Sequence, residues 1–317
     1  PGLLVFDMDE SFSGTGFYFI QQLQATDRLT LALGLCFDRV NLQADENLLP
    51  LISPNGRRHY ERFNPIAGLT YAMSKSVNFY ANLGTSFETP TLSELTANPT
   101  GLGGFNEDIR PQEATSFEVG LKGWLRQERL RFDVALFRIK LKNEFDPYEL
   151  EQFPGRTFYR NTASSVRNGI ELGLGTYLRK GLYAYFNYAL SDFRFLENQA
   201  GVSKYNKNQP GVPKHVGYLE LRYSRPGGLY AVLQNQLASA QFADDLNTVK
   251  AKSYWLANLR LGYEMRFEKW QVEPFAGVNN LFDSFYYSNV RLNAAGGRYF
   301  EPAAGINFFG GVKVRIE

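Results

Sequence analysis

The chain has 317 residues, with 34 Lys and Arg against 32 Asp and Glu, so it carries no field that would steer nucleic acid or an acidic substrate. One cysteine, Cys36, excludes an internal disulfide framework, and two histidines, His59 and His215, leave little for a zinc site or a His-based triad. At 44% hydrophobic, 21% charged and 15% aromatic, with 29 glycines, this is the composition of strands, turns and interfaces, not of a disordered tail.

No run of about 18 apolar residues is present to form a spanning helix. The opening PGLLVFDMDESF lacks both the basic start and the long apolar run of a signal peptide. From Arg28, in RLTLALGLCFD, Leu29, Leu31, Leu33, Leu35 and Phe37 alternate with Thr30, Ala32, Gly34, Cys36 and Asp38, the period of two of a strand with unlike faces. Further on, RLRFDVALFRIKLKNEF breaks that pattern. Leu130, Phe132, Val134 and Leu136 share one face, but Phe137, Ile139 and Leu141 have the other parity, which calls for a bulge or for a strand that has risen past a membrane. The alternation resumes in GIELGLGTYL, where Ile170, Leu172, Leu174, Thr176 and Leu178 oppose Glu171, Gly173, Gly175 and Tyr177. Next, Leu182, Ala184, Phe186, Tyr188 and Leu190 oppose Tyr183, Tyr185, Asn187, Ala189 and Ser191. Near the end, Ile306, Phe308, Val312, Val314 and Ile316 oppose Asn307, Phe309, Lys313 and Arg315.

These patterns predict thirteen strands, over 12–25, 27–43, 59–73, 75–88, 113–126, 128–143, 165–180, 182–196, 213–225, 228–243, 252–266, 269–281 and 304–316. Six tight turns, around Asp27, Ser74, Gln127, Lys180, Gly227 and Glu268, alternate with six long loops, 44–58, 89–112, 144–164, 197–212, 244–251 and 282–303. Short connections at one end and long ones at the other are the wiring of an outer-membrane β-barrel. Lipid offers no hydrogen bonds, so an up-and-down antiparallel sheet there closes on itself, apolar side chains outward and polar ones in the lumen. A soluble sandwich would bury the apolar face instead, but it rarely combines long strands with strictly alternating loop lengths. Trp124 and Trp270 beside tight turns and Trp255 after a long loop match aromatic girdles.

A complete bacterial barrel has an even strand count with both termini in the periplasm. Thirteen strands ending in the periplasm place the first strand's start outside, so the expectation is the C-terminal part of a longer barrel. An extra strand within Leu3 to Asp7 would restore fourteen.

Several segments resemble the TonB-dependent outer-membrane receptors. They are NFYANLGTSFETPTLSEL from Asn78 to Leu95, IRPQEATSFEVGLKG from Ile109 to Gly123, NGIELGLG from Asn168 and GVPKHVGYLELRY from Gly211. FAGVNNLFDSFYYSNV from Phe275 and GGRYFEPAAG from Gly296 complete the set, and all stand in the family's order. The resemblance implies an antiparallel transmembrane β-barrel of 22 strands, of which 1–317 holds the last thirteen or fourteen, the N-terminal plug and its TonB box lying elsewhere. Glu88 stands where Arg is usual, which speaks against a haem-receptor subtype. Cys36 takes a lumen-facing place where Arg is common and reads as a buried, inert thiol. The terminal aromatic of the assembly signal is replaced by Ile316 and Glu317.

The function so implied is TonB-dependent import of a ferric siderophore or similar iron complex across the Gram-negative outer membrane. Its partners would be that ligand, TonB through the plug, and outer-membrane lipid and lipopolysaccharide. Neither a cofactor nor a resident metal, nucleic acid or covalent chemistry is called for. Receptors of this kind also serve haem, cobalamin and oligosaccharides. A passive porin-like channel is the alternative within the membrane, and a membrane enzyme would have to use His59 near the rim.

Loop residues suited to a ferric siderophore are Tyr148, Arg156, Tyr159 and Arg160 in one loop and Tyr286, Tyr287, Arg291, Arg298 and Tyr299 in another. Arg offers a planar fork to anionic oxygens, and Tyr stacks and hydrogen-bonds at low entropic cost. Each has a structural reading beside that one, Arg298 with Glu301 as an ion pair among them. Asn279, Asn280 and Asp283 read as residues that turn the strand into its loop. Glu171, Glu220 and Arg222 read as a lumen network rather than acid–base catalysts.

Overall fold

The computed structural model describes residues 7–47, 56–100, 104–161, 164–197 and 203–316. Thirteen long strands run in chain order: β1 Met8–Gln24, β2 Leu29–Glu46, β3 Gly56–Ala72, β4 Val77–Glu88, β5 Gln112–Leu125, β6 Leu130–Lys142, β7 Ser164–Arg179, β8 Leu182–Phe195, β9 His215–Ser224, β10 Leu229–Ala238, β11 Tyr254–Tyr263, β12 Trp270–Asn279 and β13 Asn307–Ile316. Each pairs antiparallel with its sequence neighbour in one sheet, and the two-residue strand Met265–Arg266 continues β11 against β12. Among the described residues no pairing joins β1 to β13, so the wall is an open arc. The extra strand expected within Leu3 to Asp7 lies almost wholly outside the described residues, as does Glu317.

Directly paired residues in an antiparallel ladder share a face, so the register sorts the side chains. One row reads Leu121, Val134, Leu172, Tyr188, Gly217, Leu237 and Trp255 across seven strands. The row on the opposite face reads Lys122, Asp133, Gly173, Asn187, Tyr218 and Gln236. Long loops fold over the second face, which makes it the inner one. The outer face keeps large apolar side chains open, Phe308 at 75% exposure and Val312 at 63% among them, the inside-out arrangement of a wall bathed in lipid.

The parity change in β6 is neither a bulge nor an interruption. Its ladders with β5 and β7 run without a register shift from Leu130 to Lys142. Phe137, Ile139 and Leu141 therefore turn inward under the loops, Leu141 being buried, while Arg138, Lys140 and Lys142 point outward and are exposed. The strand has risen past the apolar band.

The inner face packs through aromatic rings laid over glycine. A Cβ on Gly120 would lie 2.5 Å from the Tyr80 ring, and one on Gly262 would lie 2.3 Å from the Tyr230 ring. Both glycines sit directly opposite the aromatic residue, so the strand leaves room for a flat ring where any side chain would collide.

Three sequence expectations need correction. The strand expected over 228–243 stops at Ala238, and Gln241–Phe242 peels away to pair with Lys250–Ala251. Trp255 and Trp270 lie on the outer face, as girdle residues should, but Trp124 shares the parity of the inner Lys122. His59 lies in β3, in keeping with the strand expected over 59–73, its ring nitrogens 2.7 Å from Asn41 Oδ1 and 3.1 Å from Glu61 Oε1. Cys36 is on the inner face as expected, but half-buried, with Sγ 3.5 Å from Asp38 Oδ2.

Candidate functional site

The long loops gather at one end of the wall, and a small core seats them. Leu42 and Ala44 at the top of β2 are buried with Leu95, Phe105 and Ile109 of the 89–111 loop, and Tyr60, Phe145 and Tyr159 pack against them. Leu95 is held by a short helix, Leu92–Thr96, whose start is a capping box. The Glu94 N–H donates to Thr91 Oγ1 at 3.3 Å, and the Thr91 N–H donates to Glu94 Oε2 at 2.8 Å. The stretch Thr-Leu-Ser-Glu-Leu that carries the resemblance is thus a folding signal, with Thr-x-x-Glu stopping the loop and Leu95 anchoring it.

A hairpin of Phe145–Glu149 against Thr157–Asn161 stands in the next loop around a fully buried Phe158. Tyr148 and Phe153 pack on Phe158 at ring separations of 6.0 and 5.7 Å, and the Arg156 guanidinium covers it at 5.0 Å. Arg160 lies 4.6 Å over the Tyr148 ring and donates through Nε to Asp146 Oδ2 at 2.9 Å. Burial, reinforced by Asp146 and opposed by Arg160, holds the Tyr148 hydroxyl above its ordinary pKa.

Asp146 is the meeting point of four loops. Lys204, 2% exposed, donates through Nζ to Asp146 Oδ2 at 3.0 Å and also to Asp245. Asn293 donates from Nδ2 to Asp146 Oδ1 at 3.5 Å and accepts the Asp245 N–H at 3.0 Å. Burial first, and then the negative charge of Asp146, push the Asp245 carboxyl above its usual range despite Lys204. Around this centre Asn247 and Asn208 exchange side-chain and backbone bonds, both of 2.8 Å. Asp244 caps the turn at Thr248 and Val249. Glu144 accepts from Arg167, Ser165 and Gln209.

Most of the loop residues expected to meet a ligand are engaged with the protein. Arg160 is paired with Asp146, and Arg291 donates to Glu149 Oε1 at 3.0 Å, tying the last loop to the Phe145 hairpin. Tyr159 is half-buried against the loop core. Tyr287 stacks on Phe300 at 4.4 Å, Tyr299 lies 6.0 Å from Phe300, and Tyr286 packs on Tyr254. Arg156 and Arg298 are exposed and form no ion pair with a described residue, so the expected pair of Arg298 with Glu301 is not made. Sequence reasoning missed Asp146, Lys204, Asp245 and Asn293, and nothing in their spacing marks them. Asn280 and Asp283 turn the strand as expected: Asn280 Oδ1 accepts the Ser284 N–H and Asp283 Oδ1 the Ile306 N–H, both at 2.8 Å.

Below the loops, the expected lumen network is present. Glu220 accepts from Tyr218, Gln234 and Arg222 at 2.9 to 3.0 Å. Glu171 lines a cavity of about 490 Å³ with Tyr80, Glu118 and Asp133. Among the described residues no group of three His, Cys, Asp or Glu is arranged to hold a metal ion.

The model of the TonB dependent receptor-like β-barrel matches residues 4–281. The chain belongs to this receptor family. Members are outer-membrane proteins of Gram-negative bacteria. The chain is 25% identical over 300 residues to the probable TonB-dependent siderophore receptor PiuA of Acinetobacter baumannii, covering 90% of this chain and 38% of that protein. It is 24% identical over 281 residues to the ferric-pyoverdine BN7/BN8 receptor of Pseudomonas putida, covering 87% of this chain and 32% of that one. The crystal structure of the unliganded ferric citrate transporter FecA superposes with a TM-score of 0.80 at 19% identity, over 98% of this chain and 46% of that one, and shares its fold. The chain thus spans between 32% and 46% of the length of these relatives.

Proposed function

We propose that residues 1–317 form part of the barrel wall and the outer loop cluster of a receptor that imports a ferric siderophore or similar iron complex with TonB-supplied energy. The plug through which TonB acts belongs to the rest of such a receptor. The observation that carries this reading is the clamp of Asp146, Lys204, Asp245 and Asn293, which holds four long loops together over a polar lumen face. A passive pore has no need of loops locked to one another, whereas a receptor must present preorganised groups to a large ligand. Arg156 and Arg298, exposed and without an ion pair to a described residue, are the loop cations left to face an anionic iron complex.

The test is uptake of radioactive iron, supplied as defined siderophore complexes, by iron-starved cells with and without the full gene. Gene-dependent uptake abolished by loss of TonB is the expected result. Gene-dependent uptake that persists without TonB would establish a passive channel, and no gene-dependent iron uptake from any complex would reject iron as the cargo.

A further inference from the structure

We propose that the inner face of β9 to β13, at the tight-turn end, carries a second ligand site that receives an anionic iron complex on its way out of the barrel. The proposal rests on the import reading and deepens it, adding a stage that no loop residue supplies.

The site follows from how the wall ends. The Glu264 N–H donates to the Gly228 carbonyl at 2.9 Å, and beyond that bond Met265–Arg266 pairs with β12 alone among the described residues. The turn through Gly227 is therefore shorter than the hairpin beside it, and a notch opens between the two. This notch is part of a cavity of about 1040 Å³ that continues up the inner face to Arg222, Val232 and Arg260, which share one row of the ladder. Tyr230, laid over Gly262, gives the cavity an aromatic floor, and the Arg260 guanidinium is steadied 4.1 Å over the Phe275 ring.

Charge sets what the cavity accepts. Arg222, Arg225, Arg260, Arg266 and Lys313 line it, against Glu264 and Glu273. Arg266 engages Glu264 at 2.6 Å. Glu273, opposite Lys313 in the ladder, accepts from the Tyr230 hydroxyl at 2.6 Å and from Arg260 at 3.3 Å. Glu220, next to the cavity, holds Arg222 at 3.0 Å. Cations still outnumber carboxylates with Glu220 included, and Arg225 and Lys313 are exposed with no ion pair to a described residue. A confined space with an excess of one charge concentrates ligands of the other. Because three of the cations are shared with carboxylates, the hold is weak enough for release, as a site on a transport path requires. Lys313 stands about 20 Å below Asn307 along β13 at roughly 3.3 Å per residue, too far for one complex to touch this site and the loops together.

The experiment uses the full receptor in nonionic detergent and measures equilibrium binding of radioactive ferric citrate, an anionic iron probe. R225Q/K313Q is expected to bind it roughly tenfold more weakly, as loss of charge-assisted contacts requires. R225Q alone, a change in an exposed turn, should weaken binding severalfold and keeps the test intact if the double variant does not fold. The charge-preserving R225K/K313R should bind as the parent does, and so should K75Q at another tight turn. Equal binding by the glutamine variants and the parent, or no binding of ferric citrate by the folded parent, would overturn the proposal. Iron uptake by cells separates the two readings. Uptake that depends on the gene and on TonB, with equal binding by the glutamine variants, would reject the site alone. Weakened binding in those variants with no gene-dependent uptake from any complex would reject import, and the exit role with it.

Discussion

Lys204 Nζ lies 3.0 Å from Asp146 Oδ2, joining two loops 58 residues apart at a point where both side chains are almost completely buried. Asp245 shares the same ammonium group, and Arg160 supplies the second positive charge at Asp146, so two carboxylates face two cations. Such a cluster stabilises only while complete, because removing one partner strands a charge that water cannot reach.

Lys204→Met should therefore open the loop cluster without dismantling the wall. Loss of one partner from a buried pair costs about 3 to 5 kcal/mol. Hydrogen exchange should accelerate across 144–161, 203–212 and 243–250, while β7 and β8 keep their protection. Unchanged exchange in those loops would show that the lysine holds nothing together.

The same cluster should respond to pH. The folded loops hold the Asp245 carboxyl above its ordinary value of 3.8, so the closed state binds a proton more tightly than the open one. Loop closure then strengthens as pH falls through the raised value and levels off below about 3.8. Loop opening, followed by hydrogen exchange corrected for its intrinsic pH dependence, should slow on mild acidification. Asp245→Asn carries no ionisable group and should flatten that response.

How much of this the sequence reveals follows from how far apart the interacting residues lie. A period of two is a local signal, so the sequence alone assigns the faces of β7, β8 and β13 residue by residue. The β6 parity change was equally visible, but choosing between bulge and rising strand required the register of both neighbours. The helix Leu92–Thr96 has five residues, too few for a helical period, and only Thr91 with Glu94 announces it. The hairpin Phe145–Glu149 contains Pro147 and shows no alternation. The four residues that join at Asp146 come from loops up to 147 residues apart, a juxtaposition no local pattern encodes.

The capping box gives a prediction of smaller size. Thr91→Ala removes the acceptor for the Glu94 N–H and should destabilise the local turn by about 1 kcal/mol. Because the helix carries Leu95 into the loop core, limited proteolysis between 89 and 111 should quicken severalfold. A matching change at the exposed Ser93 should have a smaller effect.

Aromatic rings over glycine give a second packing test. In Gly262→Val the new Cβ would lie 2.3 Å from the Tyr230 ring, forcing that ring off the wall. Overpacking of this kind costs about 1 to 3 kcal/mol. The variant should lose its compact electrophoretic form at a lower temperature than the parent, and combining it with Tyr230→Ala should recover part of the loss.

The decisive comparison uses adjacent residues of one strand, because Phe186 and Asn187 of β8 point to opposite faces. Phe186 pairs with Leu174 and Leu219 on the outer face, and Asn187 pairs with Gly173 and Tyr218 on the inner face, where it donates to the Tyr185 hydroxyl at 2.8 Å. If hydrocarbon bathes the outer face, Phe186→Arg should destabilise the folded barrel by about 2 to 4 kcal/mol, the cost of a cation near the bilayer midplane. Asn187→Arg enters a polar lumen and should cost far less. Denaturant titration of both variants in lipid bilayers measures the difference. Equal destabilisation would mean that the two faces meet the same medium, and the reading of this sheet as a membrane wall would fall.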